Sequence, residues 1–392
     1  MRQIRDIRFA KDLRGKKVLL RLDLNRPTEI LTILGKIGRI SKSCEDIRFL
    51  LKQGASVIII SHWGDPQGFD KRLSMESICK RMSRVLRRKI KFVPDTVGEG
   101  ARAAVGGMKP GEVIMLENLR FNPGEKTNDK EFASRLASLA DIYVNSAFGV
   151  SHRKHASLNA ITKFIPSYAG ILLQKEVNNL AYVMHQPNRP FTLVLGGSKI
   201  STKIGMVKHL IDDVDHLLIG GALANTILAA KGVKIGKSLC DTGEFKEAKK
   251  IIQLAGDKLL LPVDAVVSNK RHKRGEVKDI TSLLAGDAIM DIGPLTTDQF
   301  KIIIGDSQTI VWNGPLGVAE KPAFENGSLK IAHAIAAARY QAAYSIVGGG
   351  NTMPIIKKSK MEDHFSWVST GGGAMLAFLA GEPMPGIEPL IE

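Results

Sequence analysis

The chain has 392 residues, 44% hydrophobic and 24% charged, with three cysteines. These values exclude a small disulfide-stapled fold and a disordered chain, and leave room for two to three domains with cores of their own. Lys plus Arg number 56 against 39 Asp plus Glu, a formal net charge of +17, so an electropositive surface and an anionic partner are expected: nucleic acid, an anionic lipid surface or a phosphorylated metabolite. Cys44, Cys79 and Cys240 are far apart and form no C-x-x-C pair, which fits the reducing cytoplasm and argues against a thiolate metal site. No apolar run approaches the ~18 residues of a membrane-spanning helix. The basic start, residues 1–17, carries Asp6 and Asp12 and lacks an apolar signal core, so it reads as mature protein.

Along the chain a unit repeats: a short β-branched or Leu-rich run, a Gly or polar motif, then a stretch with helical spacing. In the first part the runs are KKVLLRLDLN (16–25), ASVIIISH (55–62), IKFVPD (90–95), EVIMLENLRF (112–121) and DIYVNSAF (141–148). Between them, the basic stretch Lys80 to Lys91 carries Ile78, Met82, Val85 and Leu86 at helical spacing; it reads as the solvated face of a helix, since the aromatic interleaving of a nucleic-acid site is missing. AGILLQKEVNNLAYVMH (169–185) reads as a connecting helix of about 17 residues, closed by Gln186-Pro187-Asn188-Arg189-Pro190. The later runs are FTLVLGGSK (191–199), HLLIGGALAN (216–225), KLLLPVDAVV (258–267), AIMDIGP (288–294), TIVWNGPLG (309–317), YSIVGGGNT (344–352) and FSWVSTGGG (365–373), with a charged loop over Asn269 to Arg274. Continuous apolar runs alternating with helices predict an α/β protein with mainly parallel sheets covered on both faces. Twelve runs exceed one ordinary sheet, so two doubly wound, Rossmann-like domains are expected.

Ligands of such sheets bind beyond the carboxyl ends of the strands. In the first half those ends carry Asp23, Asn25, His62, Glu117, Asn118, Arg120 and Asn145, with Arg153 soon after, side chains suited to a small polar anion. In the second half they are Gly196-Gly197-Ser198-Lys199, Gly220-Gly221-Ala222, Gly314-Pro315-Leu316-Gly317, Gly348-Gly349-Gly350-Asn351-Thr352 and Thr370-Gly371-Gly372-Gly373. Turns without Cβ atoms let main-chain amides approach phosphate oxygens, although any one of them serves packing as readily. His62 alone reads more readily as a satisfied sheet-edge histidine, Glu117 near Arg120 as a local ion pair, and the H-x-x-H of His152 and His155 lacks a third metal ligand. Taken together, one half suits a small anion and the other a nucleotide, which points to phosphoryl transfer.

Eight motifs carry a resemblance in order and spacing: RLDLNRP (21–27), SHWGDP (61–66), LENLRF (116–121), VNSAFGVSHRKHAS (144–157), LGGSKISTK (195–203), VWNGPLGVAE (311–320), GGGNT (348–352) and VSTGGGA (368–374). Over essentially its whole length the chain resembles phosphoglycerate kinase. The resemblance implies transfer between 1,3-bisphosphoglycerate with MgADP and 3-phosphoglycerate with MgATP, in glycolysis and gluconeogenesis, by a cytoplasmic enzyme that is a monomer by default and needs no membrane or nucleic acid. It places the triose site on Asp23, Leu24, Asn25, Arg39, His62, Trp63, Gly64, Asp65, Arg120 and Arg153. The nucleotide site falls on Lys199, Lys203, Gly221, Asn313, Glu320, Gly349, Gly350, Asn351 and Thr352, with Glu320 at the ribose, Thr352 at the phosphates and Asn351 serving Mg²⁺ through the nucleotide phosphates. Arg39, Lys203 and the amides of Gly372 and Gly373 would stabilise the transferred group, and no general base is needed because the acceptor is already an anion. It also implies a triose domain over 1–167, a hinge helix over 168–186 that closes the domains on substrate, a nucleotide domain over 187–375, and a return of 376–392 to the first domain.

Three positions depart from the family pattern. Asp65 stands where the family has Arg, and a carboxylate about 5 Å from an anionic ligand, at an effective dielectric of about 20, costs roughly 3 kcal/mol. Arg26, where an aliphatic residue is usual, is the expected partner for Asp65. Asn351 replaces an Asp associated with the nucleotide's metal, which weakens a hard-oxygen contact to Mg²⁺, so Asn351→Asp is expected to lower the Mg²⁺ needed for half activity. Ser146 replaces an Asp and Leu24 an aromatic residue, changes that bear on support behind the site. Two readings follow: an active kinase, and a catalytically impaired kinase-like protein kept for binding, nucleic acid included.

Overall fold

Short Val-, Ile- and Leu-rich runs become strands buried on both faces wherever helices follow to cover them. The structure, a computed structural model, describes residues 3–25, 38–271, 273 and 275–392. The chain separates into two units, Met1–Asn178 with Pro383–Glu392, and Asn179–Glu382.

In the first unit the elements are β1 (Lys17–Leu22), α1 (Arg39–Lys52), β2 (Ser56–Ile60), α2 (Glu76–Leu86), β3 (Lys91–Val93), α3 (Glu99–Gly106), β4 (Val113–Leu116), α4 (Pro123–Lys126), α5 (Lys130–Ala137), β5 (Ile142–Ser146) and β6 (Ser167–Ala169). The sheet order is β3-β4-β2-β1-β5-β6, parallel throughout. Because side chains alternate along a strand, Val18, Leu20 and Leu22 enter one core and Leu19 the other. Arg21 follows Leu19 to the second face. On α2 the residues Ile78, Met82 and Leu86 are buried, so the basic stretch occupies the side turned to solvent, and the helix stops at Arg87, which is left-handed with φ 55°.

The connecting helix α6 (Ile171–His185) has 15 residues, and the division between the units falls within it. Its first amide, Ile171 N, donates to Asp46 Oδ1 of α1 at 2.7 Å, and Ser146 Oγ at the end of β5 donates to Asp46 Oδ2 at 2.7 Å. The carboxylate absent at position 146 is thus supplied from α1.

The second unit contains β7 (Phe191–Leu195), α7 (Ile204–Leu210), β8 (His216–Ile219), α8 (Gly221–Ala230), α9 (Phe245–Ala255), β9 (Leu259–Leu260), β10 (Asp264–Ser268), β11 (Glu276–Asp279), β12 (Ala288–Ile292), α10 (Pro294–Asp306), β13 (Thr309–Asn313), α11 (Asn326–Ala338), β14 (Tyr344–Gly348), α12 (Met353–Ser359), β15 (Trp367–Val368) and α13 (Gly373–Leu379). Its main sheet, β15-β14-β13-β7-β8-β9, is parallel.

Three differences from the sequence reading concern this unit. The run KLLLPVDAVV is two strands, β9 and β10, in different sheets, because Pro262 offers no amide to continue a ladder. AIMDIGP forms β12, which pairs antiparallel with β10, and β11 adds the third strand of that small sheet. The return to the first unit begins at Pro383 rather than near 376, since α13 and the residues up to Glu382 lie in the second unit. Arg5 N donates to Leu390 O at 2.8 Å and Asn145 Nδ2 to Gly386 O at 2.8 Å, fastening the C-terminal segment. Among the described residues no helix is long and apolar enough to cross a membrane.

Candidate functional site

In the first sheet β1 lies between β2 and β5, so the chain departs from β1 in both directions, the kind of place where ligands bind beyond strand ends. Asp23, Asn25, Arg39 and Gly64 form one connected group there. Arg39 Nη1 lies 2.7 Å from Asp23 Oδ2 and donates to Asn25 O at 2.7 Å, while Gly64 N donates to Asn25 Oδ1 at 2.8 Å. A Cβ on Gly149 would fall 2.2 Å from Asp23 Oδ2, so any larger residue here would have to displace that carboxylate. The 144–157 motif contained this residue, but the sequence reading did not single it out.

His62 lies two residues beyond the end of β2 and is buried. Its Nδ1 lies 3.1 Å from Arg21 Nη2, and a guanidinium only donates, so Nδ1 accepts and the ring proton resides on Nε2. Burial, followed by the charges of Arg21, Arg120 and Arg39, drives the histidine well below its ordinary pKa; His62 is therefore a neutral N–H donor. Arg21 is itself held. Its Nε donates to Ser157 Oγ at 2.9 Å, and Ser157 donates through Oγ at 2.7 Å and through N at 3.0 Å to the buried Glu125 carboxylate. His155, 3.8 Å from Glu125, is pushed down to about 3 by burial and the surrounding arginines. Among the described residues no group of three or more His, Cys, Asp or Glu is placed to hold a metal.

His62 Nε2 and Arg120 Nε are buried without hydrogen-bond partners among the described residues. Buried polar atoms rarely stay unsatisfied without reason, and these two sit in a cationic setting: Arg120 Nη1 donates to Gly64 O at 2.5 Å, and the charge of the exposed Arg153 acts on Arg120. Asp65 is paired with Lys126, whose Nζ donates to Asp65 Oδ1 at 2.9 Å, and lies 3.6 Å from Arg120. The expected partner Arg26 lies outside the described residues.

Several candidates turn inward. Leu24 is 2% exposed and belongs to the core, and Trp63 packs against the same core, so neither side chain presents a polar contact. Glu117 makes no ion pair with Arg120; its carboxylate accepts from Ser74 Oγ, Met75 N and Asn118 N, each at 2.8 Å, and so fixes the entry to α2. Asn118 holds the turn after β2 through Trp63 O and Leu73 O. Arg21, Glu125 and Lys126 are contributors that the sequence reading missed. Glu125 and Lys126 just follow the LENLRF motif, and Arg21 opens RLDLNRP.

In the second sheet β7 lies between β13 and β8, the corresponding place. Here the glycine turns close on each other. Gly196 N donates to Asn313 O at 2.9 Å, Gly197 N to Pro315 O at 2.8 Å and Gly221 N to Leu316 O at 2.8 Å. Gly314 N donates to Thr352 Oγ1 at 2.8 Å. At Gly314, φ is 93° and a Cβ would fall 2.4 Å from Gly196 O, so this glycine serves loop-to-loop contact. The amides of these four glycines are engaged internally, the packing use that the sequence left as open as phosphate binding for any one turn, and the Thr352 hydroxyl is engaged as well.

Two adjoining cavities remain. One, of about 450 Å³, is lined by apolar Leu228, Ile289, Met290 and Leu316, with Gly221, Glu320 and Asn351 also on its wall. The other, of about 340 Å³, is lined by Lys199, Lys203, Asn313, Gly349 to Thr352, and Gly372 and Gly373; both include Gly197, Ser198 and Pro315. Lys203 is buried, donates to Asn313 Oδ1 at 2.5 Å, and is pushed by burial down to about 8. Gly372 and Gly373 open α13, whose first amides have no intrahelical acceptor. An apolar slot continuing into a cationic, glycine-walled end has the chemistry of a nucleotide site. Asn351 is exposed, and its side-chain amide is uncharged.

A family model described as phosphoglycerate kinase matches residues 4–382. The phosphoglycerate kinase of Dictyoglomus turgidum is 44% identical over 97% of this chain and 96% of its own length. Among solved structures, phosphoglycerate kinase from Coxiella burnetii superposes with a TM-score of 0.85 at 37% identity, covering 99% of both chains. That from Pyrococcus horikoshii OT3 gives 0.88 at 31% identity, covering 99% of this chain and 98% of the other.

Proposed function

The chain belongs to the phosphoglycerate kinase family, the phosphotransferases of glycolysis that use a carboxyl group as acceptor, and on that premise we propose how its own residues divide the work. The first unit holds 3-phosphoglycerate or 1,3-bisphosphoglycerate through Arg39, Arg120, Arg153 and the neutral His62 Nε2–H, with Asp23 and Asn25 orienting Arg39. The second unit holds ADP or ATP, with the base against the apolar slot, Glu320 at the ribose and Lys199, Lys203 and residues 349–352 at the phosphates. Asn351 would offer an oxygen to a Mg²⁺ ion brought by the nucleotide, an ion that would supply neutralisation of phosphate charge.

The observation that carries this reading is the pair of buried donors His62 Nε2 and Arg120 Nε, without partners among the described residues, which an anion would satisfy. A transferred phosphoryl group spreads charge over its equatorial oxygens, and Arg39, Lys203 and the amides of Gly372 and Gly373 are the donors we assign to it. Residues 168–186 act as the hinge of a cytoplasmic, monomeric enzyme. The reading as an impaired protein kept only for binding is not favoured, because the family match is continuous over residues 4–382. A coupled assay with 3-phosphoglycerate and MgATP tests the proposal. Turnover saturable in both substrates is expected; a folded, ligand-binding protein without turnover would contradict it.

A further inference from the structure

Asp65 occupies the rim of the end of the first unit to which the proposed function assigns 3-phosphoglycerate, and the inference rests on that reading. Unopposed, its carboxylate would repel a ligand bearing both carboxylate and phosphate groups. Lys126 opposes it at 2.9 Å. That lysine is not loosely tethered: it closes α4, whose entry is fixed by Pro123, and the residue before it, Glu125, is fully buried. The Glu125 carboxylate takes both donors of Ser157, and its carbonyl accepts from Ala156 N at 2.9 Å. The same Ser157 holds Arg21, and Arg21 holds His62. The backbone of Lys126 is therefore pinned to the network that orients the His62 donor.

The ion pair itself is wet, with the side chains of Asp65 and Lys126 60% and 42% exposed. Pairs this exposed add little to folding stability, so the effect of this one lies in local charge and position. We propose that Lys126 is a positioning residue of the triose site: it keeps the Asp65 carboxylate in solvent and cancels its charge, leaving Arg120 and Arg153 to the ligand. Without Lys126, the nearest cation to Asp65 among the described residues is Arg120, 3.6 Å away, and Asp65 competes with substrate for it. The Asp65 carboxyl lies below its ordinary pKa, with the Lys126 hydrogen bond the largest cause, in keeping with this arrangement.

The test is steady-state kinetics on the full-length enzyme with Lys126→Met, Lys126→Arg, Asp65→Asn and the double variant Asp65→Asn/Lys126→Met. Lys126→Met is expected to raise KM for 3-phosphoglycerate about five- to tenfold, with kcat and the KM for MgATP within about twofold of wild type. Lys126→Arg should restore the wild-type KM, and in the Asp65→Asn background Lys126→Met should change it by less than about twofold. The single-variant effect should shrink in about 0.5 M KCl. An unchanged KM in Lys126→Met overturns the inference. So does an equal rise in both backgrounds, which would make Lys126 a direct ligand contact. Titration of the Asp65 carboxyl by ¹³C NMR adds a readout independent of turnover: it should move upward in Lys126→Met, and no movement also counts against the role. Wild-type enzyme that folds yet does not turn over would instead break the proposed function, while the NMR result and binding of 3-phosphoglycerate to the variants still decide the role of Lys126.

Discussion

The strand ends of the first unit and those of the second prepare for anions by opposite means. The first unit works with side chains: Arg39, Arg120 and His62 stand at one end of the sheet, two buried donors there lack partners among the described residues, and a chain of Glu125, Ser157 and Arg21 holds His62. The second unit works with main chain, its glycine turns locked onto one another, with one buried cation, Lys203, beside them. Side-chain sites tolerate exchange when a neighbour makes up the loss. Asp65 is met by Lys126, and Ser146 by Asp46. A main-chain site has no such latitude where a Cβ would strike a carbonyl.

The contrast is broken most severely at Lys203. Lys203→Met should lower kcat about 10²- to 10³-fold, the scale of losing one preorganised charge at a developing anion. Burial lowers this amine to about 8, so the free enzyme carries the charge below that pH and loses it above. A pH profile of kcat/KM for MgATP should fall as pH rises through about 8, and Lys203→Arg, with its higher pKa, should lack that limb.

The next effect sharpens the compensation argument in the first unit. Burial lifts the Asp46 carboxyl from an ordinary 3.8 to about 6, so between those values the folded chain retains a proton that the unfolded chain has released. This contribution to stability is fully present below pH 4 and is lost as pH rises through about 6, an amount of about 3 kcal/mol. Asp46→Asn can still accept from Ile171 N and donate to Ser146 Oγ. Denaturant titrations should show wild type gaining on this variant by up to that amount between pH 7 and pH 4. Parallel pH curves would show that Asp46 is not the buried titrating group.

Gly314→Ala is the main-chain counterpart. A positive φ and a Cβ 2.4 Å from Gly196 O should raise KM for MgATP about tenfold or more while leaving KM for 3-phosphoglycerate unchanged, as steady-state kinetics can check. The smallest expected effect is none at all: His62, neutral by burial and Arg21, should show no titration between pH 5 and pH 8 in ¹⁵N NMR, with the proton on Nε2. A His62 that titrates near pH 6.5 would contradict the donor assignment.

Most of the fold was legible because continuous apolar runs between amphipathic stretches have few other solutions. What escaped had physical reasons. β6 is three residues, β11 reads as the charged EVKD, and β10 hides behind Pro262 in a run that looks like one strand. The site residues were legible where a motif carried them, but their partners were not. The unusual cation at position 26 suggested Arg26 for Asp65, whereas the partner seen among the described residues, Lys126, lies 61 positions away, and a contact of that separation leaves no periodicity to read. Likewise Glu117 looked like the ion-pair partner of nearby Arg120, and only the tertiary structure shows its oxygens already committed to the turn before α2.

Hydrogen exchange of the whole chain with each ligand alone tests most directly the assignment of side-chain chemistry to one unit and main-chain chemistry to the other. With 3-phosphoglycerate, slowed exchange is expected around Asn25, 62–65 and Arg120. With MgADP it is expected over 196–203, 313–320 and 349–352. Protection of one and the same unit by both ligands, or the two patterns exchanged, would contradict the account.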